Sequence, residues 1–508
     1  MNEHDFNSMN EQEVDKLLKN GESELQPQSD VVNEITPWSK AINRVLVGLA
    51  LSTLTLNFLC LNYILPAIGI VLMLLGFRSL RNENFGFRVC WIISIIRIFY
   101  FFPGLILNAT IWQKYIYQLP VITALNYVNI ALIIVLMFCL RSGFRSVQIK
   151  SKSPENISGI SALIVWYVIL CVLGLIQYNG WIIAIIILIA YVYIIRSLYG
   201  LSSELNKAGY AIQDAPIKIS DKNLTRIILG VLVLGIASGY LFFGKYPMSW
   251  EKINVAEQNK YEDLRLHLLD MGFPETVLND LTENDVSDCD GAIRVVTDRE
   301  DHAVNDGREV TEKNGNATYI STVYDVMELR ITSVAVELSG EREQWKIFHH
   351  FDWVVDPGFY GTEVIQLWPT YRGDRGWSKN GNFSGHVLYD DDEQTYAAPY
   401  YSLEYATYQN ENIFFGKQVS TDAFASFSFP TGKEHYRGYV SYEILENVDG
   451  YIIDSWINYV HQRSRLQYPV QTALDSRTTS SMFSSNRVFF MIQDALQFDP
   501  NDKDAKPF

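Results

Sequence analysis

The chain has 508 residues, with 57 acidic against 41 basic side chains and a formal net charge of −16. Nucleic-acid binding needs a basic face to meet phosphate, so this balance excludes nucleic acid as a partner. Hydrophobic residues make up 48% of the chain but are spread unevenly. Long apolar runs dominate residues 41–244 and are missing from 245–508, which reads as a multi-span α-helical membrane domain followed by a water-soluble one.

Residues 1–40 form an acidic tail too polar to build a core, and mostly disordered chain is expected there. One element stands out. Asn10 can cap a helix with Glu13 at the capping-box position, Val14, Leu17 and Leu18 make one apolar stripe, and Gly21 ends it. A helix this short is marginal alone. It is either part of a solvated tail or a docking helix for a cytoplasmic protein.

A bilayer core of about 30 Å needs about 20 apolar helical residues. Seven segments qualify: 42–60, 62–77, 89–111, 120–140, 159–176, 180–197 and 225–243, the first two split by Asn57, Asn62 and Pro66. Basic residues set the orientation. Lys40 and Arg44 precede the first span, Arg78, Arg81 and Arg88 follow the second, and Arg141, Arg145, Lys150 and Lys152 follow the fourth. Arg196, Lys207, Lys218, Lys222 and Arg226 lie around the loop before the seventh, whereas the opposite short loops hold only Lys114. The positive-inside rule therefore puts the N-terminus in the cytoplasm, and an odd number of spans puts the C-terminal domain outside. The polar start lacks the apolar core of a cleavable signal, so the first span is expected to act as an uncleaved one. Cys60, Cys90, Cys139 and Cys171 lie in or beside the spans, leaving only Cys289 outside. That cysteine cannot form an internal disulfide, which favours a bacterial cytoplasmic membrane over an animal secretory route.

Arg97 falls nine residues into the third segment. Either it snorkels to the interface or it is buried beside a partner such as Asn126 or Asn129. The seventh segment carries Gly235 and Gly239, a spacing that lets helices approach closely.

Residues 245–305 read as a helical stalk or cap. An amphipathic helix over 250–271 is broken by Gly272 and Pro274, a short helix follows over 274–281, and Thr282 with Asp285 forms a capping pair. The string Leu269-Asp270-Met271-Gly272-Phe273-Pro274 resembles the loop of small ubiquitin-associated three-helix domains. A domain outside a bacterial cell has no use for that activity, and the stalk or cap reading is kept.

Residues 306–508 change to a period of two. Trp345, Ile347, His349, Phe351 and Trp353 share one face, and Lys346, His350 and Asp352 the other. Val440, Tyr442 and Ile444 alternate with Tyr439, Ser441 and Glu443, and turns stand at Asp356-Pro357-Gly358 and Asn380-Gly381-Asn382. A β-sandwich is the expected outcome.

Two resemblances follow from these residues. Gly438-Tyr439-Val440-Ser441-Tyr442-Glu443-Ile444 resembles a late strand of the immunoglobulin-like β-sandwich domains of bacterial surface lipoproteins. Leu61-Asn62-Tyr63-Ile64-Leu65-Pro66 with Leu75-Gly76-Phe77-Arg78 resembles uncharacterised multi-pass bacterial membrane proteins, chiefly over the first 90 or so residues. Neither resemblance implies an activity.

Motifs that would specify a reaction are missing: there is no GxSxG, no Walker loop, no HExxH and no glycine-rich dinucleotide turn. His350 and Asp352 with His386 or His435 could ligate a metal, and Asp390-Asp391-Asp392-Glu393 could attract calcium. Satisfied core and solvated acidic loop are the plainer readings, and no cofactor is expected. His349, on an apolar face, reads as a core residue. Trp353, Tyr360, Trp368, Tyr371 and Trp377 either fill the core or stack on an envelope glycan or peptide. The expected function is a non-enzymatic membrane protein with an outer recognition domain, for sensing or envelope signalling. The alternative is a transport accessory or permease-like component.

Overall fold

The structure is a computed structural model. It describes residues 38–508 apart from 54–59, 153–156, 177–179, 208–209, 211, 214, 254–259, 305–308, 315–316, 323–326, 372–374, 413–415, 480–487 and 503–505. The expected helix at Val14, Leu17 and Leu18 lies outside the described residues. Two compact units divide the chain: a helical unit containing residues up to 107 and 114–237, and a β unit containing 108–113 and 238–508.

The helical unit is built from α1 (Trp38–Thr53), α2 (Leu61–Leu80), α3 (Phe85–Leu107), α4 (Gln113–Tyr117), α5 (Pro120–Lys150), α6 (Ser158–Leu175), α7 (Trp181–Lys207) and α8 (Asp221–Phe243). Among the described residues, five helices are long and apolar enough to cross a membrane: Leu61–Leu80, Phe85–Leu107, Pro120–Lys150, Trp181–Leu205 and Asp221–Phe243. The apolar stretch Ser158–Gly174 is shorter, and α1 has 16 residues. The third segment ends at Leu107 instead of 111, and the fourth runs on to Lys150.

Trp38, Leu46, Phe77, Phe87, Phe144 and Tyr191 are buried in one cluster, while Val121, Ile182, Ile186 and Leu234 point outward. Helices that are apolar all round, with large side chains outside, suit hydrocarbon as solvent. Helices α1 and α2 touch backbone to backbone, and a Cβ on Gly48 would lie 2.6 Å from the Gly69 carbonyl oxygen. Close approach through small residues replaces the hydrophobic drive that lipid removes. Gly235 plays a similar part, since a Cβ there would meet Ile106 at 2.5 Å, and Gly239 is buried. Basic residues at the ends of α1 and α2 are neutralised locally: Arg44 pairs with Asp221 at 2.6 Å and Arg78 with the same carboxylate at 3.4 Å. Arg97 is buried, only 8% exposed, but without the expected partner among the described residues: Asn126 accepts from Tyr100 instead.

In the β unit, β1 (Glu251–Lys252), β2 (Ala292–Val304), β5 (Met327–Leu338), β6 (Gln344–Val355), β8 (Trp377–Asp391), β9 (Gln394–Pro399) and β12 (Glu434–Glu446) form an antiparallel sheet ordered β1-β9-β8-β12-β6-β5-β2. A second antiparallel sheet, β10-β11-β7-β13-β14, uses β7 (Glu363–Trp368), β10 (Ser402–Asn412), β11 (Gly416–Phe427), β13 (Ile453–Gln462) and β14 (Phe489–Phe498). Strands β3 (Glu309–Asn314) and β4 (Ala317–Thr322) pair as a separate hairpin.

The period-two pattern of the sequence is what fills the core. Trp345, Ile347, Phe351, Tyr442 and Ile444 of the first sheet share one buried cluster with Ile365, Phe427, Ile457, Tyr459 and Leu496 of the second. Each such side chain contributes about 1.5–3 kcal/mol on burial. His349 sits in this layer, fully buried and satisfied: Nδ1 lies 2.7 Å from Ser333 Oγ, and Nε2 lies 2.9 Å from both Tyr442 Oη and Ser455 Oγ.

The opposite face of the first sheet carries three short helices: α9 (Glu262–Asp270), α10 (Glu275–Asp280) and α11 (Glu283–Ser287). They cover less of the chain than the expected 245–305, because β1 and the whole of β2 fall inside that range. Gly272, at φ +94°, lets the chain leave α9 in the left-handed turn. Thr282 caps α11, its hydroxyl oxygen accepting from the Asp285 N–H at 3.2 Å. Leu268, Phe273, Val277, Leu278, Leu281 and Val286 then bury against Val334, Val336, Phe348 and Tyr439. The segment is a cap.

Candidate functional site

Two carboxylates of the cap reach the sheet. Asp285 is 2% exposed. It accepts from Tyr439 Oη at 2.6 Å, Ser441 Oγ at 2.9 Å, Thr282 Oγ1 at 2.6 Å and the Ser384 hydroxyl, with Lys346 Nζ at 3.8 Å. Burial would raise its carboxyl, but those hydroxyls and the Lys346 charge outweigh burial and hold it below the usual carboxylate range. Asp280, at the end of α10, accepts from Arg437 Nε at 2.9 Å and lies 2.8 Å from His350 Nε2. Burial opposes its charge too, and His350 and Arg437 again overcome it.

Beside Asp280 opens a cavity of about 290 Å³. Its floor comes from two rows of side chains set by strand register, of which Asp301 and Tyr439 stand outside the lining. In one row Asp301, Arg330, Asp352 and Arg437 follow one another across β2, β5, β6 and β12. In the next, Arg299, Thr332, His350 and Tyr439 do the same. Thr276, Asn279 and Asp280 of the cap form the wall. Directly opposed side chains on neighbouring strands lie about 5 Å apart, so the alternating signs of the first row are mutually favourable.

Most of these charges are paired. Arg330 grips Asp301 through Nε at 2.7 Å and Nη2 at 2.9 Å, and this fork holds the Asp301 carboxyl low. Arg437 also reaches Asp390 at 3.1 Å, and His435 Nδ1 lies 2.8 Å from the same carboxylate. His435 adopts φ +51°, a conformation unusual for a residue with a Cβ. That turn directs its Nε2 to within 3.6 Å of Asp352 Oδ1.

The histidines and aspartate weighed as alternative metal ligands are thus brought together in part. His350, Asp352 and His435 line this one cavity. His386 does not: it lines a second cavity, of about 520 Å³, with Asp280, Thr282, Gly385 and Pro399, where burial lowers its basicity. Asp280, which no pattern in the sequence singled out, and Asp390, noted there only within an acidic run, hold the histidines. A different cluster stands at the inter-sheet edge, where Glu300, His302 and Asp494 place ligand atoms within 4.8 Å of one another. His302 Nε2 lies 3.2 Å from Asp494 Oδ2, and that contact raises the imidazole pKa.

The five aromatics proposed for stacking do not form one surface. Trp353, Tyr360 and Trp377 are buried, with Trp353 edge-on to Tyr360 at 6.3 Å and Trp377 donating to the Tyr451 carbonyl at 3.1 Å. Trp368 is half-buried against Trp456 at 6.0 Å, and only Tyr371 is exposed.

No family model matches this chain, and no curated protein matches it.

Proposed function

We propose that the chain is a seven-span bacterial membrane protein whose N-terminus is cytoplasmic and whose β unit, a two-sheet sandwich, stands outside as a ligand-recognition module for sensing or envelope signalling. The observation that carries the reading is the cleft at the cap edge. Six elements, α10, β2, β5, β6, β8 and β12, supply charged side chains to it or to their partners, and most are held in place by neighbours. Such preorganised groups suit recognition. They suit proton transfer poorly, because Asp280, Asp301 and Asp390 are all held as paired carboxylates. A ligand binding one state of the cap better than another shifts the molecule by its differential affinity. The output arm would be the tail helix at Val14, Leu17 and Leu18, docked on a cytoplasmic protein.

The test is a thermal-shift screen of the full chain in lipid nanodiscs against small carboxylates, phosphates, amines and zwitterions. At least one class should raise the Tm of the wild type by 2 °C or more and leave Arg299→Ala unmoved. Silence across all four classes removes the recognition reading. Orientation has its own test in intact cells, or spheroplasts if a wall blocks access. A cysteine at Lys150→Cys should resist an impermeant thiol reagent, and one at Ser378→Cys should react. The reverse pattern overturns the topology.

A second reading, transport, rests on Arg97, which is buried in the helical unit and makes no hydrogen bond or ion pair with the described residues. Unpaired charge at membrane depth marks ion or substrate paths.

A further inference from the structure

The cleft contains a mismatch. Arg330, Arg437, His350 and His435 each have a carboxylate partner within 3 Å or so. Arg299 has none: its exposed guanidinium makes no hydrogen bond or ion pair with the described residues. Asp352 is the counterpart. It stands between Arg330 and Arg437 in its row, yet its carboxylate accepts no hydrogen bond from the described residues, and its Oδ1 is an unsatisfied buried atom. One guanidinium without a hydrogen bond and one carboxylate without a hydrogen bond, the latter approached only by His435 Nε2 at 3.6 Å, therefore line the same cavity on the same face of the sheet.

They cannot easily serve each other. Arg299 is on β2 and Asp352 on β6, with β5 between them. Strands lie about 4.8 Å apart, so the two backbones are separated by about 10 Å, and by a row along the strands as well. Arg299 registers with Thr332, whereas Asp352 registers with Arg330. Thr276, Asn279 and Thr332 border the cavity with neutral hydrogen-bonding groups.

We propose that this cleft binds a small zwitterion of the amino-acid class, its carboxylate on Arg299 and its ammonium on Asp352. The inference rests on the recognition reading above and names the ligand class of that site. The charge pattern selects against the simpler ions. A dianion would set its second charge against Asp352, and a diamine against Arg299. Like-charge contacts of that kind are what discriminate between ligands of equal size. A molecule with both charges supplies a hydrogen-bonding partner to each of the two groups and leaves the Arg330–Asp301 and Arg437–Asp280 pairs intact. The volume of about 290 Å³ admits an amino acid and its bound water and excludes folded peptides.

The experiment is isothermal titration of the full chain in nanodiscs with glycine, L-alanine and L-glutamine, and in parallel with acetate, propionate and ethylamine. At least one of the three amino acids should bind, at least tenfold more tightly than propionate or ethylamine. Arg299→Ala and Asp352→Asn should each weaken that binding at least tenfold. Neither change removes an existing hydrogen bond, so both variants should melt within 2 °C of the wild type without ligand. Propionate binding as well as alanine, with no effect of Asp352→Asn, makes the cleft an anion site and overturns the zwitterion assignment while the recognition reading stands. No binding by any of the three amino acids overturns the assignment outright. Whether recognition itself survives is then read from the broader thermal-shift screen.

Discussion

Replacing Asp285 with alanine is expected to destabilise the β unit by about 3–5 kcal/mol, the usual cost of removing one partner from a buried ionic network. The residue is 2% exposed and accepts hydrogen bonds from Tyr439, Ser441, Thr282 and Ser384. Its loss leaves those hydroxyls without an acceptor and deprives Lys346, itself 3% exposed, of its buried counter-charge. It also uncaps α11. The internal comparison is Asp288, which pairs with the same lysine at 2.7 Å but whose side chain is 46% exposed. Asp288→Ala should cost about 1 kcal/mol or less, because an exposed pair is screened by water. Urea unfolding of the full chain, followed by tryptophan fluorescence, measures both. If the two variants unfold at similar urea concentrations, the cap is not held by its buried carboxylate.

Stability is expected to fall on acidification well before the carboxylates titrate, and His349 is the reason. Burial in the inter-sheet core pushes its pKa down to about 4. An unfolded histidine takes a proton near pH 6.5. Between those values the unfolded chain binds the proton and the folded one does not, so stability decreases as pH falls from about 6.5 to about 4. The shift corresponds to a loss on the order of 3 kcal/mol. His386, lowered by burial, acts in the same direction. His302 acts oppositely: its hydrogen bond to Asp494 raises its pKa, so its contribution is complete below the unfolded value and lost as pH rises through the folded one. Asp280, Asp285 and Asp390 have depressed pKa values, so their stabilisation is present above about pH 4 and lost as pH falls through their folded values. His349→Gln should lower stability at pH 7 and flatten its dependence between pH 7 and 5. A slope equal to that of the wild type would assign the acid sensitivity to other groups.

Some of this was legible in the chain alone. Twenty-residue apolar runs such as 61–80 can only be satisfied as helices in lipid or a core, so their existence and approximate ends follow from composition. The alternation Trp345, Ile347, His349, Phe351, Trp353 follows from the pleat, and the structure puts those five side chains on one buried face. The Thr282–Asp285 cap is a contact three residues long, so it too was readable.

Range separates these features from the rest. The cleft joins residues 276, 299, 330, 352 and 437, and nothing in their local spacing links them. They meet because β12 lies between β8 and β6 and because register sets Asp352 opposite both Arg330 and Arg437. A slip of one residue would send each of those charges into the core. Pairing partners were equally hidden. His350 was visible as a candidate ligand, but only the docking of α10 delivers Asp280 to it and commits its Nε2 to a buried contact of 2.8 Å. Trp353, Tyr360 and Trp377 stand among turn residues in the sequence, as a stacking surface would, and are buried in the fold. Local chemistry in the sequence determined the elements and their faces. Which charges meet and neutralise one another was decided by the non-local pairing of the strands.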